Sequence, residues 1–396
     1  MEIKKIIYDC LKSNMPKIQA ERGKDLEHWR NWSKDQDKKI VVFGASAMCE
    51  LCIRYLEKLE INVDIICDND SRRYGKFMTD SGRSIDVVSI DEAMSGRAEK
   101  LCIVAAGAQH FTDISAQLGK YQIAAVVMKW HLDFYLETLI MMSDKSTTFM
   151  DRICELLEFY DDEESLKILW MHFTMLFEMD NVPESLQQLS MEGLCDRPQY
   201  FLQNGKYLEI QGIMVDCGAY VGDTLEDLVY KTKYDHFGRY DCYELFPATY
   251  EKLIKTIEKL PCKIQERVRA YNMGVGEKGT IVYATNGSTT PYNSSILCNG
   301  NTEVKLVRLD DMYKSEKVTF IKMDIEGSEQ AALRGAKAVI ERCRPMCAIC
   351  VYHSFSAFWE VPQLLKKYVP EYRMILRHHT SYWDDTVCYA KIGAWE

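Results

Sequence analysis

No stretch of this chain is apolar over the roughly 20 residues that a membrane-spanning helix needs, and no basic stripe stands out among its charges. The first absence excludes a helical membrane anchor. The second speaks against a non-specific nucleic-acid binder, because 59 Asp and Glu outnumber 49 Lys and Arg and leave a formal charge of -10. A secretory core is lacking too, since MEIKKIIYDCLKSNMPKIQA carries charges throughout. No internal repeat or low-complexity tract is visible. What is present is an ordinary globular composition, 47% hydrophobic and 27% charged, on a chain of 396 residues that exceeds one typical core. The 15 cysteines lie mostly singly in apolar runs (Cys67, Cys102, Cys217, Cys242), where a thiol acts as a small hydrophobe. That usage fits a reducing cytoplasm.

The hydrophobic pattern divides the chain into three. Residues 1–130 are expected to form a nucleotide- or sugar-nucleotide-binding-like Rossmann domain, in which a charged helical lead-in (1–35) precedes a small sheet. Short apolar runs at 39–44 (KIVVFG), Asn62–Cys67, Leu101–Ala106 and Ala124–Met128 alternate with helix-sized segments, which is the rhythm of a parallel α/β sheet. Residues 131–205 have few strand signals, and leucine, methionine and aromatics recur at helical spacing; they read as a helical bridge or cap. Met171, Met175 and Met179 are spaced for one packed helical face. From residue 206 to 396 the α/β rhythm returns. The predicted strands are Ile213–Cys217, Arg239–Glu244, Val268–Met273, Val318–Met323, Met346–Tyr352, Tyr372–Leu376 and Val387–Ala390. An Asn-, Ser-, Thr- and Gly-rich insertion, Gly279–Leu309, carries β-like pieces around a polar loop placed to act as a lid or substrate rim.

The informative segment is IMVDCGAYVGDT, residues 213–224. A strand delivers Asp216 and Gly218 to the carboxyl edge of a parallel sheet, where open α/β folds bind ligands, and Gly218 and Gly222 permit a tight turn. The next strand ends in Cys242-Tyr243-Glu244 and places a carboxylate about twenty residues on, suited to ribose hydroxyls. The third strand runs into Asn272-Met273-Gly274 at the same edge. This set fits an adenosine-containing cofactor. The absent third glycine of G-x-G-x-x-G and the Asp216 carboxylate argue against a pyrophosphate there.

Together VDCGAYVGDT, YELFP with ATYEKL, NMGVG and FIKMDIEGSEQAALRG resemble the FkbM family of class I methyltransferases, from roughly residue 200 to the C-terminus. The resemblance implies a seven-stranded Rossmann-like methyltransferase fold, S-adenosyl-L-methionine as cofactor, and methyl transfer to an oxygen of a sugar or other small metabolite. It also implies that Asp216, Gly218, Ala219, Tyr220, Gly222 and Thr224 surround the methionine part and that Glu244 takes the ribose, with Asn272 and Asp324 completing the cofactor set. Cys217 and Tyr220 stand where the family often has a small apolar residue and an asparagine.

Methyl transfer to oxygen needs an oriented acceptor and, where its pKa is high, a base. Asp324 and Glu326 end the fourth strand beside Gly327, and His353 ends the fifth; these three are the candidate catalytic residues, with His353 as the base. Glu329 opens the following helix, where negative charge is favoured for structural reasons. His378 and His379 are placed to rim the acceptor pocket. Asp324, Glu326 and a histidine offer metal donors, but no spacing fixes a metal set. Cys343, Cys347 and Cys350 spell C-x-x-x-C-x-x-C, the spacing of radical-enzyme iron–sulfur sites. Cys347 and Cys350 nevertheless fall on opposite faces of a strand.

In the first domain, Gly44-Ala45-Ser46 follows a strand and precedes a helix, and Asp68 ends the next strand. With Cys49 at the third glycine position this is a degenerate dinucleotide edge, and Ala105–His110 faces the same crevice. The expected partners are a small-molecule acceptor, which a nucleotide-linked sugar would satisfy, and a second copy of the chain, with no nucleic acid and no membrane. Two other readings stay open at this point: an NAD-type oxidoreductase using Gly44, Ser46 and Asp68, and an inactive scaffold that has kept the methyltransferase fold.

Overall fold

The structure, a computed structural model, describes residues 2–79, 81–129, 131–143, 148–160, 162–188, 199–200, 202–203, 206–207, 212–231, 237–284, 302–380 and 384–395. Helix Glu2–Lys34 opens the chain. Strands β1 (Lys38–Phe43), β2 (Ile65–Cys67), β3 (Gly75–Met78), β4 (Ser84–Val88), β5 (Glu99–Val104) and β6 (Ala125–Val127) then form a six-stranded sheet in the order β3-β4-β2-β1-β5-β6. Every pairing in it is parallel except β3 with β4. The β3–β4 hairpin was not foreseen, because β3 is mostly exposed and β4 alternates exposed with buried residues, so neither carries a continuous apolar run.

Helices Leu132–Ser143, Phe149–Phe159, Glu163–Leu176 and the short Glu184–Gln187 come next, as the helical spacing predicts. The methionine stripe fares differently. The helix stops at Leu176, so Met179 lies beyond it; Met171 is buried and Met175 is exposed. A two-stranded ribbon, β7 (Leu202–Gln203) with β8 (Lys206–Tyr207), leads into the second sheet.

That sheet uses β9 (Ile213–Cys217), β10 (Arg239–Tyr243), β11 (Val268–Tyr271), β15 (Val318–Met323), β16 (Met346–Cys350), β17 (Tyr372–His378) and β18 (Thr386–Ile392), in the order β11-β10-β9-β15-β16-β18-β17. All pairings are parallel except those of β18, which runs antiparallel to β16 and β17. This is the seven-stranded α/β sheet expected for the C-terminal part. Between β11 and β15, strands β12 (Gly274–Val275), β13 (Thr280–Ala284) and β14 (Thr302–Val307) form a small separate sheet. The polar loop expected to act as a lid spans 285–301 and lies outside the described residues.

Each main sheet is covered on both faces. Val215, Cys217, Ile321, Met323, Cys347 and Ile349 point into one core, whereas Met214, Cys242, Phe320, Ala348 and Cys350 point into the opposite one. Cys347 and Cys350 therefore sit in different cores, and their thiols do not converge on a cluster site. All described cysteines are free.

The opening helix is more than a charged lead-in. Its Ile7, Cys10, Leu11, Met15 and Ile18 pack into the core shared by the bridge helices and the C-terminal sheet, and its Leu26, Trp29 and Trp32 pack against the N-terminal sheet. Helix Leu132–Ser143 is shared in the same way, with Phe134 and Met141 in one core and Tyr135, Leu136 and Leu139 in the other. The two sheets are thus tied together by apolar burial along two helices. No described helix is long and apolar enough to cross a membrane.

Candidate cofactor and active site

The parallel order puts β9 at the centre of the second sheet, between β10 and β15, so three strand ends meet at one carboxyl edge. A cleft of about 300 Å³ opens there. Its described lining includes Gly218, Tyr220, Thr224 and Glu244 from the first two strand ends, Asp324 and Glu326 after β15, Tyr352 after β16, and Tyr200 and Asp385 from distant segments.

Gly218 makes this edge possible. Its φ is +83°, and a Cβ there would lie 1.9 Å from the Asp324 carbonyl oxygen, so no other residue lets the turns after β9 and β15 approach so closely. The amides of Gly218 and Ala219 both donate to the Tyr243 carbonyl, which ties the turn to β10. Tyr220 comes next with φ +47° and Glu326 sits at φ +54°, two non-glycine residues in the left-handed region on either side of the cleft. Such backbone strain costs of order 1–3 kcal/mol and concentrates at ligand-handling turns.

Glu244 is buried and lies just past β10. Its two oxygens accept from the amides of Tyr220 (3.0 Å) and Phe246 (2.9 Å), so one carboxylate fixes both turns while lining the cleft. Burial pushes its pKa up to about 7, against the pull of those amides and of Lys322.

Four residues expected around the cofactor are not in the described lining of the cleft and make contacts within the protein. Asp216 is not in the described lining of the cleft: its carboxylate receives the Lys322 ammonium at 2.8 Å and the Tyr240 hydroxyl at 2.8 Å. Asn272 donates to the carbonyls of Glu244 (3.0 Å) and Leu245 (3.1 Å) and so shapes the turn rather than facing the cleft. Ala219 is fully buried, and Gly222 (φ +88°) abuts Leu253 and Thr256 of helix Pro247–Ile257.

Lys322 went unrecognised in the sequence, although a lysine inside an apolar strand is a signal. It is paired in register with Asp216 across β15 and β9, so the two charges share one face of the sheet. Its ammonium also donates to the Gly218 carbonyl at 2.9 Å. Burial works against that charge, but Asp216 and Asp324 hold the ammonium above the ordinary lysine value. Tyr200, Tyr352 and Asp385 were missed as well. The hydroxyls of Tyr200 (3.0 Å) and Tyr352 (3.2 Å) donate to the two oxygens of Asp324. Burial pushes Asp324 up, but Lys322, His353 and these hydroxyls outweigh it and leave the carboxyl below its ordinary value.

His353 is brought to Asp324 and Glu326, with Nε2 3.6 Å from an oxygen of each. Its Nδ1 lies 2.9 Å from Glu329 Oε1, a contact without hydrogen-bond alignment. Burial lowers its pKa, but Glu329 first, then Glu326 and Asp324, raise it to about 10. The three acids thus favour the protonated imidazole, which weighs against the role of base expected from the sequence. Glu326 is the other way round: burial lifts its carboxyl to about 7, and it lines the cleft. Glu329, at the head of helix Glu329–Gly335, is completely buried and accepts from the Ile325 amide at 2.9 Å.

His378 does not rim the cleft. It is buried on β17, its Nδ1 2.7 Å from the Thr386 hydroxyl, with His172 on the other side of that hydroxyl. His379 stands behind the site: it meets the Tyr389 hydroxyl at 3.0 Å, and Tyr389 in turn accepts from the Tyr200 amide.

Residues 216–381 match a family model described as the methyltransferase FkbM domain. The chain is an S-adenosylmethionine-dependent methyltransferase. The match begins at Asp216 and takes in Glu244, Asp324, Glu326 and His353, so the cleft of this methyltransferase lies largely within it. Among solved structures, methyltransferase FkbM from Methylobacillus flagellatus KT is 21% identical, covers 93% of each chain and has a TM-score of 0.49. An rRNA methylase from Streptococcus thermophilus is 13% identical over 47% of this chain and 90% of its own, with a TM-score of 0.29. Precorrin-6y C5,15-methyltransferase from Geobacter metallireducens GS-15 is 9% identical over 47% and 82%, with a TM-score of 0.29. No curated protein sequence matches the chain.

Proposed function

We propose that the methyltransferase methylates a hydroxyl of a small, uncharged, hydroxyl-rich acceptor such as a sugar. The observation that carries this reading is that Glu244, Asp324 and Glu326 line one cleft. Glu244 would accept hydrogen bonds from the ribose hydroxyls of S-adenosylmethionine, and the Gly218–Thr224 turn would hold its methionine part. When bound, the cofactor would supply an electrophilic methyl group on a sulfonium, with the sulfur as the leaving group that keeps the electron pair. Asp324, oriented by Tyr200 and Tyr352, positions the acceptor hydroxyl, and Glu326 takes its proton.

Charge favours a neutral acceptor over the nucleotide-linked sugar that the sequence left open. Asp223, Glu244, Asp324, Glu326 and Asp385 line the cleft, and the one cation in its described lining, Lys322, is already paired with Asp216. Carboxylates suit a sulfonium and sugar hydroxyls and repel a diphosphate.

Titration calorimetry with S-adenosylmethionine, followed by transfer of its labelled methyl group to neutral sugars and to their nucleotide-linked forms, tests the reading. Cofactor binding with label on a neutral sugar is the expected result. Label only on nucleotide-linked sugars would overturn the acceptor class, and label on an amine would overturn O-methylation.

A further inference from the structure

We infer that Asp324, Glu329 and His353 form a site for one divalent transition-metal ion at the inner wall of the cleft. These residues come from three segments: the turn after β15, the first position of helix Glu329–Gly335, and the turn after β16. The fold nevertheless brings one donor atom of each to within 4.8 Å of the others.

Proximity of acids alone would not carry this. The independent observation is that buried polar atoms in the cluster lack hydrogen-bond partners. The Glu329 side chain is 0% exposed, and its Oε2 makes no hydrogen bond; the His353 side chain is 9% exposed, and neither of its ring nitrogens makes an aligned one. Buried carboxylate oxygens and imidazole nitrogens are normally satisfied, and a metal ion that displaces the His353 proton would bond to atoms that make no aligned hydrogen bond here. The other oxygens are already fixed. Glu329 Oε1 accepts from the Ile325 amide, and the Asp324 carboxylate is held by Tyr200 and Tyr352, the outer-shell support that orients metal-ligating carboxylates.

One imidazole with two carboxylates is a mixed nitrogen and oxygen donor set, suited to a first-row divalent ion such as Mn²⁺ rather than to the all-oxygen shell of Ca²⁺ or a thiolate site. Asp324 lines the cleft, so the remaining positions of the ion would face the acceptor. On the methyltransferase reading, the ion would hold the acceptor oxygen beside Glu326.

Mn²⁺ itself is the probe. Binding to the full-length protein is monitored by loss of the free-ion electron paramagnetic resonance signal, with S-adenosylmethionine calorimetry on the same samples. The expected result is one bound ion per chain at sub-millimolar concentration, weakened at least tenfold by Glu329→Gln and by His353→Gln while cofactor binding persists. No binding at 1 mM to wild-type protein that binds the cofactor would overturn the site. Binding unchanged in both variants would overturn it as well. If the ion binds and the cofactor does not, the site stands and the methyltransferase reading fails.

Discussion

The two parallel sheets end in the same local grammar and do different things with it. In each, a strand runs into a glycine turn with positive φ, at Gly44 (+105°) and Gly218 (+83°), and the next strand delivers an acid to the same edge, Asp68 or Glu244. Asp68 folds back on its own turn: its oxygens accept from the amides of Ala45 and Asp70, both at 2.7 Å, and from the Arg73 guanidinium at 3.1 Å. Glu244 also holds its neighbouring turns, but it faces an open cleft. An acid after a glycine turn is therefore no binding site by itself. The segment downstream of the acid decides: Arg73 arrives over Asp68, while Glu244 stays open to the cleft. This weakens the dinucleotide reading of the N-terminal edge, because Asp68 is already engaged by protein groups.

The comparison breaks most severely if the buried pair behind the C-terminal edge is disturbed. Lys322→Met leaves Asp216 charged and unpaired at 2% exposure, and is expected to cost about 3–5 kcal/mol in denaturant unfolding. A loss below about 1 kcal/mol would show that the pair does not organise this edge.

Next come the glycines. Gly218→Ala places a methyl against the Asp324 backbone and should cost about 2–5 kcal/mol, more than Gly44→Ala, whose added Cβ meets the Ala105 carbonyl at 2.7 Å. Equal shifts in thermal unfolding would mean that the two edges are equally tight.

The acids themselves separate the edges functionally. Glu244→Ala should weaken S-adenosylmethionine binding about 10- to 100-fold, the loss of one or two hydrogen bonds to a charged group, while Asp68→Asn leaves it unchanged. Calorimetry on the two variants checks this, and a parallel loss in Asp68→Asn would void the contrast.

A pH series sharpens it further. Glu244 has a pKa near 7 in the folded protein, above its unfolded value, so the folded state holds the proton more tightly. Its stabilising contribution is then full below the unfolded pKa and is lost as pH rises through about 7. Cofactor affinity runs the opposite way, because only the ionised carboxylate is purely an acceptor; it should fall by up to about tenfold per unit below pH 7. Glu244→Gln should remove the affinity slope and reduce the stability slope, part of which remains with Glu326 and Glu137, both also raised to about 7.

The smallest effect is expected from Arg73→Ala. The guanidinium is 45% exposed, and such pairs contribute roughly 0–1 kcal/mol. If the variant gains nucleotide binding, Asp68 was masked by Arg73 rather than unsuited to a ligand.

Much of the site was legible because its residues are close in sequence to the strands that carry them. Short apolar runs located β9, β10 and β15, and the ends of those strands had to share an edge once the sheet was parallel. Gly218, Glu244, Asp324 and Glu326 could be placed on that basis. The local reading ran out where a side chain crosses the fold. Tyr200 reaches Asp324 from 124 residues away, and Asp385 arrives on the return to β18. It ran out too where a side chain is taken up by neighbours other than a ligand, Asp216 by Lys322 and Tyr240, Asn272 by the carbonyls of Glu244 and Leu245. His353 was found, but not its charge state, which depends on Glu329 being buried beside it.

The sequence by itself determined the two α/β units, the helical stretch between them and the carboxyl edge at which ligands gather, because strand periodicity and glycine turns are local properties of the chain. Which acids face the cleft, which cation is locked away and which acids surround His353 follow from the tertiary fold alone. Those outcomes depend on distances between segments far apart in sequence and on the burial that makes each distance count electrostatically.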